Sequence, residues 1–399
     1  MTKEKVEQNL DIFIMYCLCA VIFFIPISKA IIEIHFSFAA VAFIIKKLVK
    51  QDFRFLKDYA YLFILLFIIF NALSFINSGI YLNKSLHALF LKWCKYIFVF
   101  VVAENTLCTK KRLKVAMLVL LTISILMALD AFFQLFRGLD IFRNRALIGG
   151  RVTAAFENQN SFSSFLVPTL LFVIALVFQP MPKRPKLFMV FLAALLGTAL
   201  ILTFSRGAWF AFSLGLIFLT MISGQSRKYI WVIGIWATLL LFLPATQRRI
   251  YLILSPLGDA DRIALWLTSW RMIQTNPFLG KGVGTYMSHF RQYADIPGIY
   301  YAHNCFLQIW AEAGIFSLLA FLSFVSLIMY RSIKEFRNNS NFLTLGLVSG
   351  IFGYLAHCFF DVSLYSLPLA YFFWLMLGLL SGLTKFNSNP VNRLTQLEF

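Results

Sequence analysis

Three side chains could do chemistry: Arg206, in the otherwise largely apolar "LTFSRGAWF", Arg262 in the amphipathic "GDADRIALWLTSWRMIQTNP" and His303 in "YYAHNCFLQIWAEAGIFSL". Arginine offers a planar fork of five donors that grips phosphate in a bidentate fashion. Histidine, with an unperturbed pKa of about 6.5, is the natural general base near neutral pH. The chemistry these residue types offer is a histidine base with arginine electrostatics directed at phosphate. Arg262 falls in the first turn of a predicted helix, where free backbone N–H groups and the helix dipole also favour an anion. Arg271 lies nine residues further on, about 900° round the helix and so half a turn away, which directs it to lipid headgroups. The remaining substrate-binding candidates are Arg143, Arg145, Arg151, Asn158, Asn160 and Asn304, with Arg271 at the margin. Glu312 and Asp361, the latter preceded by His357, are expected to satisfy buried partners. No HExxH, DxD or Cys/His quartet occurs, so neither a metal nor another cofactor is expected. "GKGVGTY" (280–286) lacks the Walker pattern and reads as turn glycines.

The elements that position these groups follow from composition. The 399 residues are 60% hydrophobic and 13% charged, against about 25% charged in a soluble protein. The fold class is therefore all-α, a polytopic integral membrane protein forming a single transmembrane domain over residues 1–399. A span needs about 20 mostly apolar residues, which gives about twelve candidates, roughly 11–27, 29–45, 59–77, 86–103, 113–136, 161–179, 187–204, 207–223, 229–245, 304–330, 341–361 and 366–384. The first span lacks a small-residue cleavage site and is expected to be retained. Residues 187–223 would make about 55 Å of helix, nearly twice the hydrocarbon thickness of about 30 Å. The chain is therefore expected to reverse near Ser205-Arg206-Gly207, with Gly207 permitting the turn.

Basic clusters at 46–57, 110–114, 183–186, 227–228 and 331–337 fall in every second loop, which predicts cytoplasmic termini. The outward segments, about 78–85, 137–160, 205–206, 246–303 and 362–365, should then be poor in positive charge. They instead hold ten arginines, Arg137, Arg143, Arg145, Arg151, Arg206, Arg248, Arg249, Arg262, Arg271 and Arg291, but only two lysines, Lys84 and Lys281. Arginine on one face and lysine on the other points to phosphate recognition at the outer surface. The long outer loop, 246–303, contains an amphipathic helix predicted from about Asp259 to Gln274, capped by Asp259 or Asp261, with Ile263, Trp266, Leu267, Trp270 and Ile273 as its apolar face. Such a helix lies in the membrane interface, in contact with membrane lipids. The net charge of +19 is explained largely by topology, and no basic platform for nucleic acid is present. The six cysteines show no metal or CxxC spacing.

In order along the chain, "TxSRGAW" (Thr203 to Trp209), "R-x-x-x-W…NP-x-x-G-x-G-x-G" (Arg262 to Gly284), "HN-x-F-L-Q-x-W-x-E-x-G" (His303 to Gly314) and "H-x-x-x-D" (His357 to Asp361) resemble the O-antigen ligase and O-antigen polymerase superfamily of bacterial envelope enzymes. The resemblance implies metal-independent transfer of a glycan from an undecaprenyl diphosphate carrier to a hydroxyl, at the periplasmic face of the inner membrane. It would make His303 the base and give Arg206 and Arg262 the diphosphate. A ligase, whose acceptor is the lipid A-core oligosaccharide, is favoured over a polymerase joining carrier-linked repeats. A transporter or flippase for a lipid-linked anion is the reading of a different class, disfavoured because the arginines gather on one face.

Overall fold

The computed structural model describes residues 3–107, 109–224, 226–242, 260–298 and 300–388. The expectations concerning 243–259, including Arg248, Arg249 and the cap at Asp259, lie outside these residues. Among the described residues the chain is helical, without strands: α1 (Lys3–Phe24), α2 (Lys29–Lys50), α3 (Tyr59–Leu73), α4 (Leu82–Ala88), α5 (Cys94–Thr106), α6 (Lys110–Arg137), α7 (Gln159–Val177), α8 (Lys183–Leu202), α9 (Arg206–Ser223), α10 (Ser226–Phe242), α11 (Ala260–Thr275), α12 (Tyr286–His289), α13 (Cys305–Asn339), α14 (Phe342–His357) and α15 (Leu367–Ser388). Nine helical segments among the described residues are long and apolar enough to cross a membrane, and Tyr229–Thr238 and Phe342–His357 are shorter apolar helices. The molecule is an all-α polytopic membrane protein; α2, over the predicted span 29–45, is not among the nine, and the predicted span 229–245 runs past the described residues after 242.

Two predicted boundaries are corrected. Residues 78–85, taken as an outer loop, are mostly helical: a continuous apolar run extends from Gly79 to Thr106 and contains a π-helical turn at Leu89–Trp93. The tenth span continues past residue 330 to Asn339. Several helix starts have a local cause, since Asp58, Thr109, Asn158, Asn304 and Asn341 each accept a hydrogen bond from a backbone N–H of the first turn.

Helices in lipid gain little from hydrophobic burial against one another and associate by close packing of small residues. On α14, Gly346 and Gly350 allow α7 so near that a Cβ would sit 2.7 Å from Phe172 Cδ2 and 2.8 Å from the Pro168 carbonyl oxygen. Gly378 and Gly382 of α15 bring that helix equally close to the Phe100 and Glu104 carbonyls of α5. The centre of the bundle is consequently α7 and α15, each 89% buried along its apolar window, while α8 at 28% lies at the margin.

The predicted reversal falls between α8 and α9, so Arg206 opens a helix instead of interrupting one. The residue in the left-handed conformation is Phe204 (φ 49°), not Gly207. Gly207 serves a different need: a Cβ there would lie 2.6 Å from Phe360 Cβ.

Helix α11 forms within one residue of its predicted bounds, and of its predicted apolar face only Ile273 is buried. Leu265, Thr268, Ser269, Met272 and Ile273 are buried, whereas Ile263, Leu267 and Trp270 are exposed. The stripe faces away from the protein, as an interfacial helix requires.

Candidate active site around His303 and Asp361

His303 adopts a left-handed backbone (φ 47°), which for a non-glycine residue costs about 1–3 kcal/mol and persists only where neighbours over-determine it. Here they do. Asn304 caps α13 by accepting from the Phe306 and Leu307 N–H groups at 2.9 and 3.1 Å. The Cys305 N–H donates to the Cys358 carbonyl at 2.8 Å, and Cys305 Sγ donates to the Asp361 carbonyl at 3.3 Å. The start of α13 is thus fastened to the end of α14 and the loop behind it.

This fastening brings His303 Nδ1 to 3.5 Å from Asp361 Oδ1. Asp361 Oδ2 accepts from Ser363 Oγ at 3.2 Å, and Ser164 Oγ joins Ser363 Oγ at 2.7 Å and His357 Nδ1 at 2.8 Å. Burial would raise the Asp361 pKa, but the bond to His303, the nearby imidazoles and the Val362 N–H outweigh it and hold the carboxyl below its ordinary value. The His303 side chain is 36% exposed and that of Asp361 12%, so the imidazole is open and the carboxylate sequestered. A carboxylate against Nδ1 fixes the tautomer and leaves Nε2 to accept a proton.

The imidazole forms part of the wall of a cavity of 810 Å³, shared with Tyr301, Asn158, Glu157, Lys29, Lys92 and Lys95. Such a volume suits a small organic ligand. Phe360, the residue before Asp361, lies against Arg262 and the start of α9. The Arg262 guanidinium lies 5.9 Å from its ring centroid, and Gly207, next to Arg206, packs directly on it. Asn160 Oδ1 accepts from Ser205 Oγ at 3.0 Å, tying the start of α7 to the residue before Arg206. His303, Arg262 and the backbone beside Arg206 are therefore gathered about Phe360–Asp361.

The other sequence candidates have separate attachments. Asn158 lines the cavity and caps α7, accepting from the Ser161 N–H at 2.8 Å. Arg143 donates twice to the Ile27 carbonyl, at 3.0 and 2.6 Å, and so braces the α1–α2 turn. Arg145 sits in a loop wound around Asp140, which accepts from the Phe142, Arg143 and Arg145 N–H groups. Arg151 closes a bridge with Ile148. Arg271 is apart from the site, paired with Asp295 at 2.5 Å where both side chains are largely exposed. Glu312 accepts from the Gly284 and Tyr286 N–H groups at 2.9 and 3.2 Å, which anchors the "GKGVGTY" turns on α13. Those turns carry Gly280, Gly282 and Gly284, all at positive φ.

Sequence reasoning missed part of the cavity wall. Lys29 pairs with Glu157 and Lys95 with Glu33, each at 2.5 Å, and His87 is also at the wall. The bond from Lys29, aided by Arg145 and Arg143, lowers the Glu157 carboxyl against its burial. Lys92 and Lys95 were visible as charges within an apolar span, and the H-x-x-x-D spacing was the only signal for Asp361. Among the described residues no group of three or more His, Cys, Asp or Glu side chains is arranged to hold a metal.

Comparison with known proteins addresses the same region. The teichuronic acid biosynthesis protein TuaE of Bacillus subtilis (strain 168) is 24% identical over 252 residues, 57% of this chain and 50% of that relative. The chain thus spans half the length of the curated relative it matches. A family model described as O-antigen ligase matches residues 189–322, which include Arg206, Arg262 and His303. The site is thus built largely from the segment over which the chain is similar to O-antigen ligases, together with the loop after α14.

Proposed function

We propose that this protein is a glycosyltransferase of the ligase type, moving a glycan from undecaprenyl diphosphate to a hydroxyl of a lipid A-core acceptor. His303 Nε2 takes the proton of the acceptor hydroxyl, whose oxygen bonds to the anomeric carbon while the bond to the diphosphate breaks. Asp361 holds the imidazole in the required tautomer and stabilises the imidazolium. Charge develops on the departing diphosphate, and Arg206 and Arg262, fixed about Phe360, stabilise it. The observation that carries this reading is the His303–Asp361 pair, 3.5 Å apart at the wall of an 810 Å³ cavity, with Arg262 and the backbone of Gly207, next to Arg206, at the adjoining Phe360. In this reading the site faces the periplasm of a bacterial inner membrane, both termini are cytoplasmic, and residues 246–303 form the outer loop.

A second reading, polymerase, is favoured by one observation: the relative is named for teichuronic acid biosynthesis, not for lipopolysaccharide. The acceptor would then be another carrier-linked chain. Gene deletion separates the two. Loss of all O-antigen with carrier-linked polymer accumulating means ligase, and cores bearing a single repeat mean polymerase.

The chemistry is tested on purified protein in vesicles. His303→Ala should bind the lipid-linked donor within about twofold of wild type and lose about 10²- to 10⁴-fold in turnover. Wild-type turnover in that variant would overturn the assignment.

A further inference from the structure

We propose that the cavity beside His303 contains a subsite for an acidic sugar, with the Lys92 ammonium as its anchoring cation. The proposal rests on the transferase reading, since it concerns the acceptor whose hydroxyl would meet His303. Three lysines line the cavity. Lys29 is neutralised by Glu157 and Lys95 by Glu33, each at 2.5 Å, while Asp361 faces His303. Lys92 has no hydrogen-bond or ion-pair partner among the described residues, and its side chain is exposed. One positive charge at the wall is therefore left for a ligand.

The position of Lys92 is built by the fold. It sits in the π-helical turn Leu89–Trp93, inside the apolar run Gly79–Thr106. π-Turns of this kind occur frequently at functional sites. An ammonium within a span costs about 2.5–3.5 kcal/mol on insertion scales, so such residues are retained where they meet a substrate or ion. Lysine is a point charge with three rotatable donors, which suits a carboxylate or phosphate carried on a sugar in varied orientations. The competing account is that Lys92 snorkels to an anionic headgroup.

The test uses the full chain in nanodiscs of zwitterionic lipid, with trigalacturonate as the acidic probe and maltotriose as its neutral counterpart, by calorimetry at low salt. Wild type should bind trigalacturonate at least about tenfold more tightly than maltotriose, and Lys92→Gln should remove that preference, as expected for one charge-assisted bond. Lys92→Arg should keep affinity within about threefold, which shows that the loss in Lys92→Gln is not misfolding. Displacement of trigalacturonate by inorganic phosphate assigns the subsite to phosphate, and resistance to displacement assigns it to carboxylate; both retain an anionic subsite. Equal binding of the two trisaccharides overturns the proposal. So does unchanged trigalacturonate binding in Lys92→Gln accompanied by a loss of stability only in nanodiscs containing phosphatidylglycerol. His303→Ala should keep the preference for trigalacturonate, so a failure of the transferase reading and a failure of this subsite give different results.

Discussion

In the proposed reaction the direction of the His303 imidazole depends on the Asp361 carboxylate, 3.5 Å from Nδ1. Asp361→Asn keeps the size of the side chain but reverses the hydrogen-bonding preference at Nδ1, so turnover should fall by about 10²- to 10⁴-fold while donor binding is retained. The same substitution has a signature in stability. Because the Asp361 carboxyl is held below its ordinary value, its charge adds stability at pH above the unfolded value of about 3.9, and the contribution is lost as pH falls through the folded value. Thermal melts should show the wild-type advantage over Asp361→Asn shrinking below about pH 4; a gap constant from pH 7 to pH 3 would contradict an ionised Asp361. His303, Arg206 and Arg262 were legible in sequence because a cation in an apolar or aromatic stretch needs a reason to be there. The partnership of Asp361 was not, because it depends on the Cys305–Cys358 bond that joins two distant helix ends. Lys29 and Glu157, 128 residues apart, meet for a similar reason.

The helix that follows His303 is itself interrupted. Helix α13 breaks at Gly314 (φ 81°, ψ 172°), and the freed Ala311 and Glu312 carbonyls accept from the Lys281 and Gly282 N–H groups at 2.9 Å. Gly314→Ala would force a Cβ to 1.9 Å from the Phe278 carbonyl oxygen in a backbone conformation that L-residues avoid. It should destabilise the protein by about 1–3 kcal/mol or more and reduce turnover with it, read as a lowered Tm and a lowered rate. A wild-type Tm would mean that the break is not required. The limits of sequence reading at this scale are physical. Length alone divided residues 187–223 correctly, because two bilayer crossings need two helices, but it could not say that Phe204 would take the turn while Gly207 accommodates Phe360. Periodicity found α11 and its outward residues Ile263, Leu267 and Trp270, but it grouped with them Ile273, which is buried. In lipid the apolar face turns outward, and polar or small groups such as Thr268 and Ser269 pack inward.

Across the whole molecule, α8 begins at Lys183 and ends at Leu202, one turn before Arg206, so Lys183 and the site lie at opposite ends of the bundle. If the site faces the periplasm, a cysteine at Gln292 should react with an impermeant maleimide in intact cells and one at Lys183 should not. The reverse pattern would invert the proposed orientation. Composition made the polytopic architecture legible, whereas the central position of α7 and α15 depended on glycine contacts that only the packed structure reveals. The outward stripe of Ile263, Leu267 and Trp270 runs along the helix that carries Arg262, and it commits this arginine to the boundary between hydrocarbon and water. On the proposed function, a lipid-borne donor would arrive there by lateral diffusion, in two dimensions. The saturation that would then matter is a mole fraction of the bilayer, not a molarity in the surrounding water.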